Sequence, residues 1–240
     1  MTGVIPLLHW PHMSRRLRYQ VAVSLDGFLA RADGSYDWIV DDPAIDLEAL
    51  FKEFDTVVMG RKTHELMTSQ GGTGAMPGAE VIVFSRTLPP VKTKGLRITA
   101  KDPGKVIAAL KKRPGKDIWL FGGGSLFHAL LAAKHVDTVE LAVMPVLLGS
   151  GIPLQAPGVE AKLVLTDQRI LPKSGIAVLA YKVDGSRGPA PKIRFVKEPK
   201  RAKAARRSSA DRKKKRARRA ADTRSQRGKG GAPPKRGRTR

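Results

Sequence analysis

Short apolar runs rich in β-branched residues recur along the chain, at positions 19–25, 56–59, 81–84, 96–99, 118–121, 138–144, 162–170 and 176–183. Each has the length and composition of a β-strand. Between them, positions 44–54, 62–67, 103–112 and 125–134 carry helical spacing, and Asp42-Pro43 and Asp102-Pro103 supply N-cap and first-turn proline signals. About eight strands alternating with helices predict an α/β fold built on a mostly parallel sheet. The last two runs are separated only by Leu-Pro-Lys-Ser-Gly, which predicts an antiparallel hairpin closing one edge.

Composition adds a boundary. A chain of 240 residues with 41% hydrophobic residues can bury one sizeable core and carry an appendage. After Asp184 the sequence GSRGPAPK reads as a linker, and beyond Lys192 apolar residues become sparse. Such a segment cannot bury enough surface to offset the entropy of ordering it. The expected organisation is a flexible leader at 1–18, a folded domain at 19–184, and a linker with a disordered basic tail at 185–240. Met13 serves as well as Met1 for a start, because the sequence after it leads straight into the first strand.

Candidate chemistry is narrow. There is no cysteine, which removes disulfides and thiolate metal sites, and His9, His12, His64, His128 and His135 lack ligand spacing, so no metal is expected. The apolar run near the N-terminus is about six residues, interrupted by proline and histidine, against the roughly 7–15 of a secretory signal. No stretch approaches membrane-spanning length. A cytoplasmic location with no membrane partner is the expectation.

Three predicted strand ends carry groups suited to phosphate. Gly122, Gly123 and Gly124 lie between a strand and the helix opening at Ser125, where bare backbone can approach a pyrophosphate. Gly60, Arg61, Lys62 and Thr63 open another helix, and cations there oppose the helix dipole unless an anion joins them. Ser85 and Arg86 end a third strand with a hydroxyl and a guanidinium. Each also has a plain reading, as a cramped turn, a solvated basic corner and a surface strand end. Three together in one domain favour phosphate binding over coincidence.

These motifs, MGRKT, VIVFSR and GGGS, with VAVSLDGFLA before them and VMPVLLGSGIPL after, resemble the dihydrofolate-reductase-like fold. They are most similar to the reductase domain of the bifunctional riboflavin-biosynthesis deaminase/reductase and its stand-alone relatives, over residues 19–183. The resemblance implies a three-layer fold, NADPH as cofactor, a small-molecule substrate and a homodimer. It places Gly60, Arg61, Lys62, Thr63, Ser85, Arg86, Gly122, Gly123, Gly124 and Ser125 against the cofactor, and Phe127 either beside the nicotinamide or in the core. It implies hydride transfer to a phosphoribosylamino-pyrimidine, as in 5-amino-6-(5-phosphoribosylamino)uracil reductase. The substrate wall falls on Ser24, Asp26 and Trp38. Asp26 has the alternative of fixing its turn, and Trp38 that of a core residue.

Departures separate the relatives. Folate reductases carry an arginine after the Pro-Gly preceding VFS, where this chain has Ala79. They set an aspartate four residues before a helix phenylalanine; Asp46 is five before Phe51, about 100° further round. Asp46 is thus a doubtful proton donor, with first-turn helix decoration as its other reading. Dihydrofolate reduction stays an alternative activity. The deaminase half of the riboflavin enzyme requires zinc held by cysteines, which this chain lacks.

The formal charge of +24 is concentrated in the tail: residues 191–240 hold 22 Lys/Arg against 3 acids, leaving 23 against 18 elsewhere. Dense cations without aromatics suit sequence-independent nucleic-acid binding, so a non-enzymatic nucleic-acid-binding protein is a further alternative; a solvated charge run is the plain one. With residues 213–219, which carry six cations, neutralising six phosphates of duplex DNA, log K against log salt should slope near −5, at about −0.9 per phosphate. Deleting residues 191–240 should abolish that binding and leave NADPH affinity unchanged. Titration of full and truncated proteins with labelled duplex at several salt concentrations measures both effects.

Overall fold

The computed structural model describes residues 15–69 and 71–186. The expected tail, and residues 1–14 of the expected leader, lie outside these. Leu17 and Arg18, assigned to the leader from sequence, are fully buried in the first strand, so the domain starts earlier than expected.

In chain order the strands are β1 Leu17–Ser24, β2 Phe28–Ala30, β3 Phe54–Gly60, β4 Glu80–Phe84, β5 Val91–Thr93, β6 Leu96–Thr99, β7 Asp117–Gly122, β8 Thr138–Met144, β9 Ile152–Pro153, β10 Leu163–Ile170 and β11 Ala177–Val183. The helices are α1 Leu47–Phe51, α2 Arg61–Ser69, α3 Pro103–Lys111 and α4 Gly124–Ala132. Nine strands form one sheet in the order β10-β11-β8-β1-β7-β3-β4-β6-β5, and β2 pairs separately with β9. The run from β8 to β6 is parallel, and β10, β11 and β5 are antiparallel to their neighbours. The α/β fold with its C-terminal hairpin is as expected.

The central runs are apolar without alternation because both faces of the sheet are covered. Val58, Ile82, Ile118 and Leu120 pack on one face with Ile107 and Leu110 of α3 and Leu126, Phe127, Leu130 and Leu131 of α4. Val57, Met59, Val81, Val83 and Trp119 face the opposite side, where Leu50 of α1 and Met67 of α2 cover them. Tyr19 stacks on Phe127 with ring centroids 3.9 Å apart; burial pushes its phenol pKa up.

Two expectations change. The predicted helix at 44–54 shrinks to the single turn of α1, because Phe54 enters β3 and stacks against Trp119, centroids 5.3 Å apart. Asp42 therefore does not cap it. Its carboxylate accepts from the Ala44 amide at 2.8 Å and the Ser174 hydroxyl at 2.7 Å, and Asp46 takes over as N-cap. β2, β5 and β9 are two or three residues long, too short to show a period of two in sequence.

The two edges of the large sheet differ. β5 is three residues long, follows Pro89-Pro90 and carries Lys92. β10 is eight residues long and exposes Leu163, Val164, Leu165 and Ile170.

The amino ends of the central strands are tied by charge. Arg18 donates from Nε to Glu140 Oε1 at 2.8 Å and from Nη2 to Oε2 at 2.7 Å, with side-chain exposures of 2% and 1%. Its Nη1 also donates to Glu53, and its guanidinium lies 4.7 Å from the Phe54 ring centre. Burial opposes the charge, but the bonds and charges of Glu140 and Glu53 outweigh it and raise the pKa. Removing one partner of such a pair strands the other in the core. Glu140→Ala should cost about 3–5 kcal/mol in urea unfolding, and Arg18→Met with Glu140→Leu should recover most of it. A loss under about 1 kcal/mol for the single variant would show that the pair does not bear on stability.

Candidate functional site

The parallel register brings the three predicted phosphate loops to one edge. Met59 of β3 lies opposite Gly122 of β7, and Gly60 lies opposite Phe84 of β4. From β3 the chain turns through α2 towards β4, and from β7 through α4 to β8 beyond β1, with the two helices on opposite faces. The gap between the carboxyl ends of β3 and β7 is thus a topological switch point, the usual ligand crevice of an α/β sheet.

Three glycines line it for three different reasons. Gly122 has φ +154°, a conformation that side chains rarely adopt, and the peptide joining it to Gly123 is cis. Gly124 is held by packing, since an added Cβ would lie 2.9 Å from the Pro153 carbonyl oxygen. Gly123 is under neither constraint: at φ −73°, ψ 162° it is in extended backbone open to any residue, and an added Cβ would meet only Thr63 Oγ1, at 3.5 Å. The Thr63 hydroxyl thus sits at ordinary van der Waals distance from where that Cβ would lie. Gly123 is also the N-cap of α4 and supplies no side-chain cap, and Ser125 is exposed in the first turn. The leading amides of a helix are left without intrahelical acceptors, and here they adjoin the crevice.

The cations are arranged less uniformly than the sequence implied. Lys62 and Arg86 are exposed and form no ion pair among the described residues. Arg61 is engaged, its Nη1 donating to Glu65 Oε1 at 2.8 Å and Oε2 at 2.7 Å. Ser85 is buried, and its Oγ accepts from the Leu88 amide at 2.9 Å and the Thr87 amide at 3.2 Å, so its hydroxyl shapes the turn that presents Arg86. Among the described residues no three His, Cys, Asp or Glu side chains are gathered as a metal site.

The residues expected to form a substrate wall are committed to structure. Ser24 is buried at the end of β1, where Oγ donates to Asp26 Oδ1 at 2.6 Å and accepts from the Phe28 amide at 2.9 Å. Asp26 accepts from the Leu148 amide at 3.0 Å and the Gly149 amide at 2.7 Å, tying the β1–β2 turn to the loop after β8. Trp38 packs with Met144, Leu171, Ile176 and Val178 and is 8% exposed, so its face is not offered to a heterocycle. Asp46 accepts from the Ala49 amide at 2.9 Å as N-cap of α1. Phe127 is core.

Sequence reading missed the strap at residues 149–154. The Leu154 amide donates to Gly27 O at 2.9 Å, and a Cβ on Gly151 would lie 2.2 Å from Ala30 O. With Pro153 against Gly124, this segment joins the β1–β2 turn to the glycine turn. Its signal was the Gly-Ser-Gly at 149–151 between apolar runs.

Residues 15–173 match the family described as RibD C-terminal domain. The chain is 34% identical over 151 residues to the uncharacterized protein YyaP of Bacillus subtilis, covering 58% of this chain and 80% of YyaP. It is 29% identical over 165 residues to the riboflavin biosynthesis protein RibD of Mycobacterium tuberculosis, covering 61% of this chain and 48% of that protein. Among solved structures, a putative riboflavin biosynthesis protein from Shewanella sp. PV-4 superimposes with a TM-score of 0.61 at 23% identity, over 70% of this chain and 99% of that one. Dihydrofolate reductase from Enterococcus faecalis, complexed with NADP(H), gives 0.52 at 17% identity, over 70% and 96%. These two structural likenesses establish the fold. No helix among the described residues is long and apolar enough to cross a membrane.

The Ser24 hydroxyl first, then the Gly149 and Leu148 amides, hold the Asp26 carboxyl below its ordinary value of 3.8. The fold therefore binds the ionised form, and the contribution is complete above that ordinary value and lost as pH falls through the lowered one. Asp26→Ala should lower Tm at pH 7, keep the same deficit down to about pH 5, and begin to converge on the parent only below about pH 4. Thermal melts across that range test this; a deficit that grows on acidification would contradict the assignment.

Proposed function

The chain belongs to the RibD C-terminal domain family, and from that membership we propose that it is an NADPH-dependent reductase acting on a phosphoribosylamino-pyrimidine, like the reductase step of riboflavin biosynthesis. The observation that carries this reading is Gly123, whose φ and ψ suit any residue and where an added Cβ would meet only Thr63, at ordinary contact distance, beside the switch point. The leading amides of α4 and the opening of α2 flank the glycine turn, and helix amides without intrahelical acceptors suit a pyrophosphate. Lys62, on the α2 side, and Arg86, at the end of β4, supply unpaired positive charge for a 2′-phosphate. When bound, the cofactor supplies the hydride; the protein's part is to fix the reacting carbon and exclude water.

Dihydrofolate is disfavoured as the substrate. Ala79, where folate reductases carry an arginine, bonds back to the Met76 carbonyl at 3.2 Å in a tight turn and offers nothing to a carboxylate. Asp46 keeps a structural duty as helix cap, which leaves it a doubtful acid. A cytoplasmic homodimer is part of the proposal, resting on the family resemblance.

Purified protein should consume NADPH with the phosphoribosylamino-pyrimidine and turn over dihydrofolate poorly. NADPH should bind about ten- to a hundredfold tighter than NADH, with Arg86→Ala removing most of that margin, as expected for loss of a charge-assisted bond of roughly 1.5–3 kcal/mol. Gly123→Val should abolish cofactor binding with far-UV dichroism unchanged. Retained binding in that variant, or equal affinity for NADH, would overturn the assignment.

A further inference from the structure

Building on the phosphate-binding reading of this crevice, we infer that Glu65 sets the phosphate affinity of the site by competing for Arg61. In the free protein the carboxylate occupies the guanidinium, and an incoming phosphomonoester takes its place.

Helix energetics do not account for the Arg61–Glu65 pair. Arg61 is the first residue of α2, and the first turn contains no acid, so a cation stands where the helix dipole favours an anion. Glu65 lies four residues further on, and an acid C-terminal to its basic partner is the weaker order for such a pair. The arrangement neutralises Arg61 beside Lys62, directly after β3 ends at Gly60.

The pair is also easily exchanged. Its side chains are 41% and 45% exposed, and ion pairs this open to water are weakly held. Both of its bonds come from a single nitrogen, Nη1. A phosphate can instead accept two parallel bonds from the guanidinium fork and brings up to two charges against the one of a carboxylate. A ribose hydroxyl offers no charge and leaves the pair intact. Glu65 therefore opposes binding of the phosphomonoester more than that of the same dinucleotide without it, whose pyrophosphate charge is common to both. It holds the affinity for the phosphorylated form below what Arg61 could otherwise give.

Glu65→Gln, at an exposed position, keeps the shape of the side chain and removes its charge. By titration calorimetry on the full chain, it should tighten NADPH binding about two- to tenfold and leave NADH within about twofold. The same substitution in an Arg61→Ala background should have no effect, because the competition acts through Arg61. Unchanged or weaker NADPH binding, equal tightening for NADH, or tightening that survives without Arg61 would each refute the inference. Parallel titration with 2′-AMP, which carries the phosphomonoester without nicotinamide, separates this inference from the reductase reading. Tighter 2′-AMP binding to Glu65→Gln with no NADPH binding by either protein leaves the exchange standing and rejects the reductase. NADPH turnover with no effect of Glu65→Gln on either ligand does the reverse.

Discussion

One guanidinium organises the centre of this sheet. Arg18 sits on β1, bonds Glu140 of β8 and Glu53 at the entry to β3, and lies 3.5 Å from Asp117 at the start of β7. A buried charge tolerates little displacement from its partners, since each lost bond leaves an uncompensated charge in a medium of low polarity. The pair thereby fixes the relative heights of β8, β1, β7 and β3. Arg16, bonded to Asp117 at 2.6 Å, and Asp137, accepting from the Leu17 amide at 2.7 Å, reinforce the same end. With the amino ends locked, the register places Gly60, Phe84 and Gly122 side by side at the other end.

The site that results combines groups with unlike obligations. Ser24, Asp26, Ser85 and Asp46 spend their polar atoms on turns and caps, and so hold loops in place. The side chains of Thr63, Lys62 and Arg86 show no such duty among the described residues. Groups without a structural task, gathered where strands end and helices begin, are what a bound dinucleotide would use.

Much of this was legible in the sequence. Long apolar runs such as VVM at 57–59 and WLF at 119–121 announce strands buried on both faces. Asp102-Pro103 marked α3 correctly, its carboxylate accepting from the Lys105 amide at 2.8 Å. The same Asp-Pro signal at 42–43 misled, because a local cap cannot hold a helix through Phe54 when that ring is required under Trp119. Trp38 and Ser24 were placed in a substrate wall by resemblance, and their burial, which sequence does not display, gives both a structural task. The Arg61–Glu65 bond lay in plain view as an i, i+4 spacing, concealed by the habit of counting cations near glycine as free.

The unequal sheet edges bear on how copies of this protein can meet. An eight-residue strand with exposed Leu163, Val164, Leu165 and Ile170 can accept another strand along its length. β5, short and preceded by two prolines, cannot. Two copies joined β10 to β10 would leave β5 as the outer edge of the large sheet on each side. Addition along that sheet would then end at two, because a short, proline-flanked edge is a poor template for a further strand.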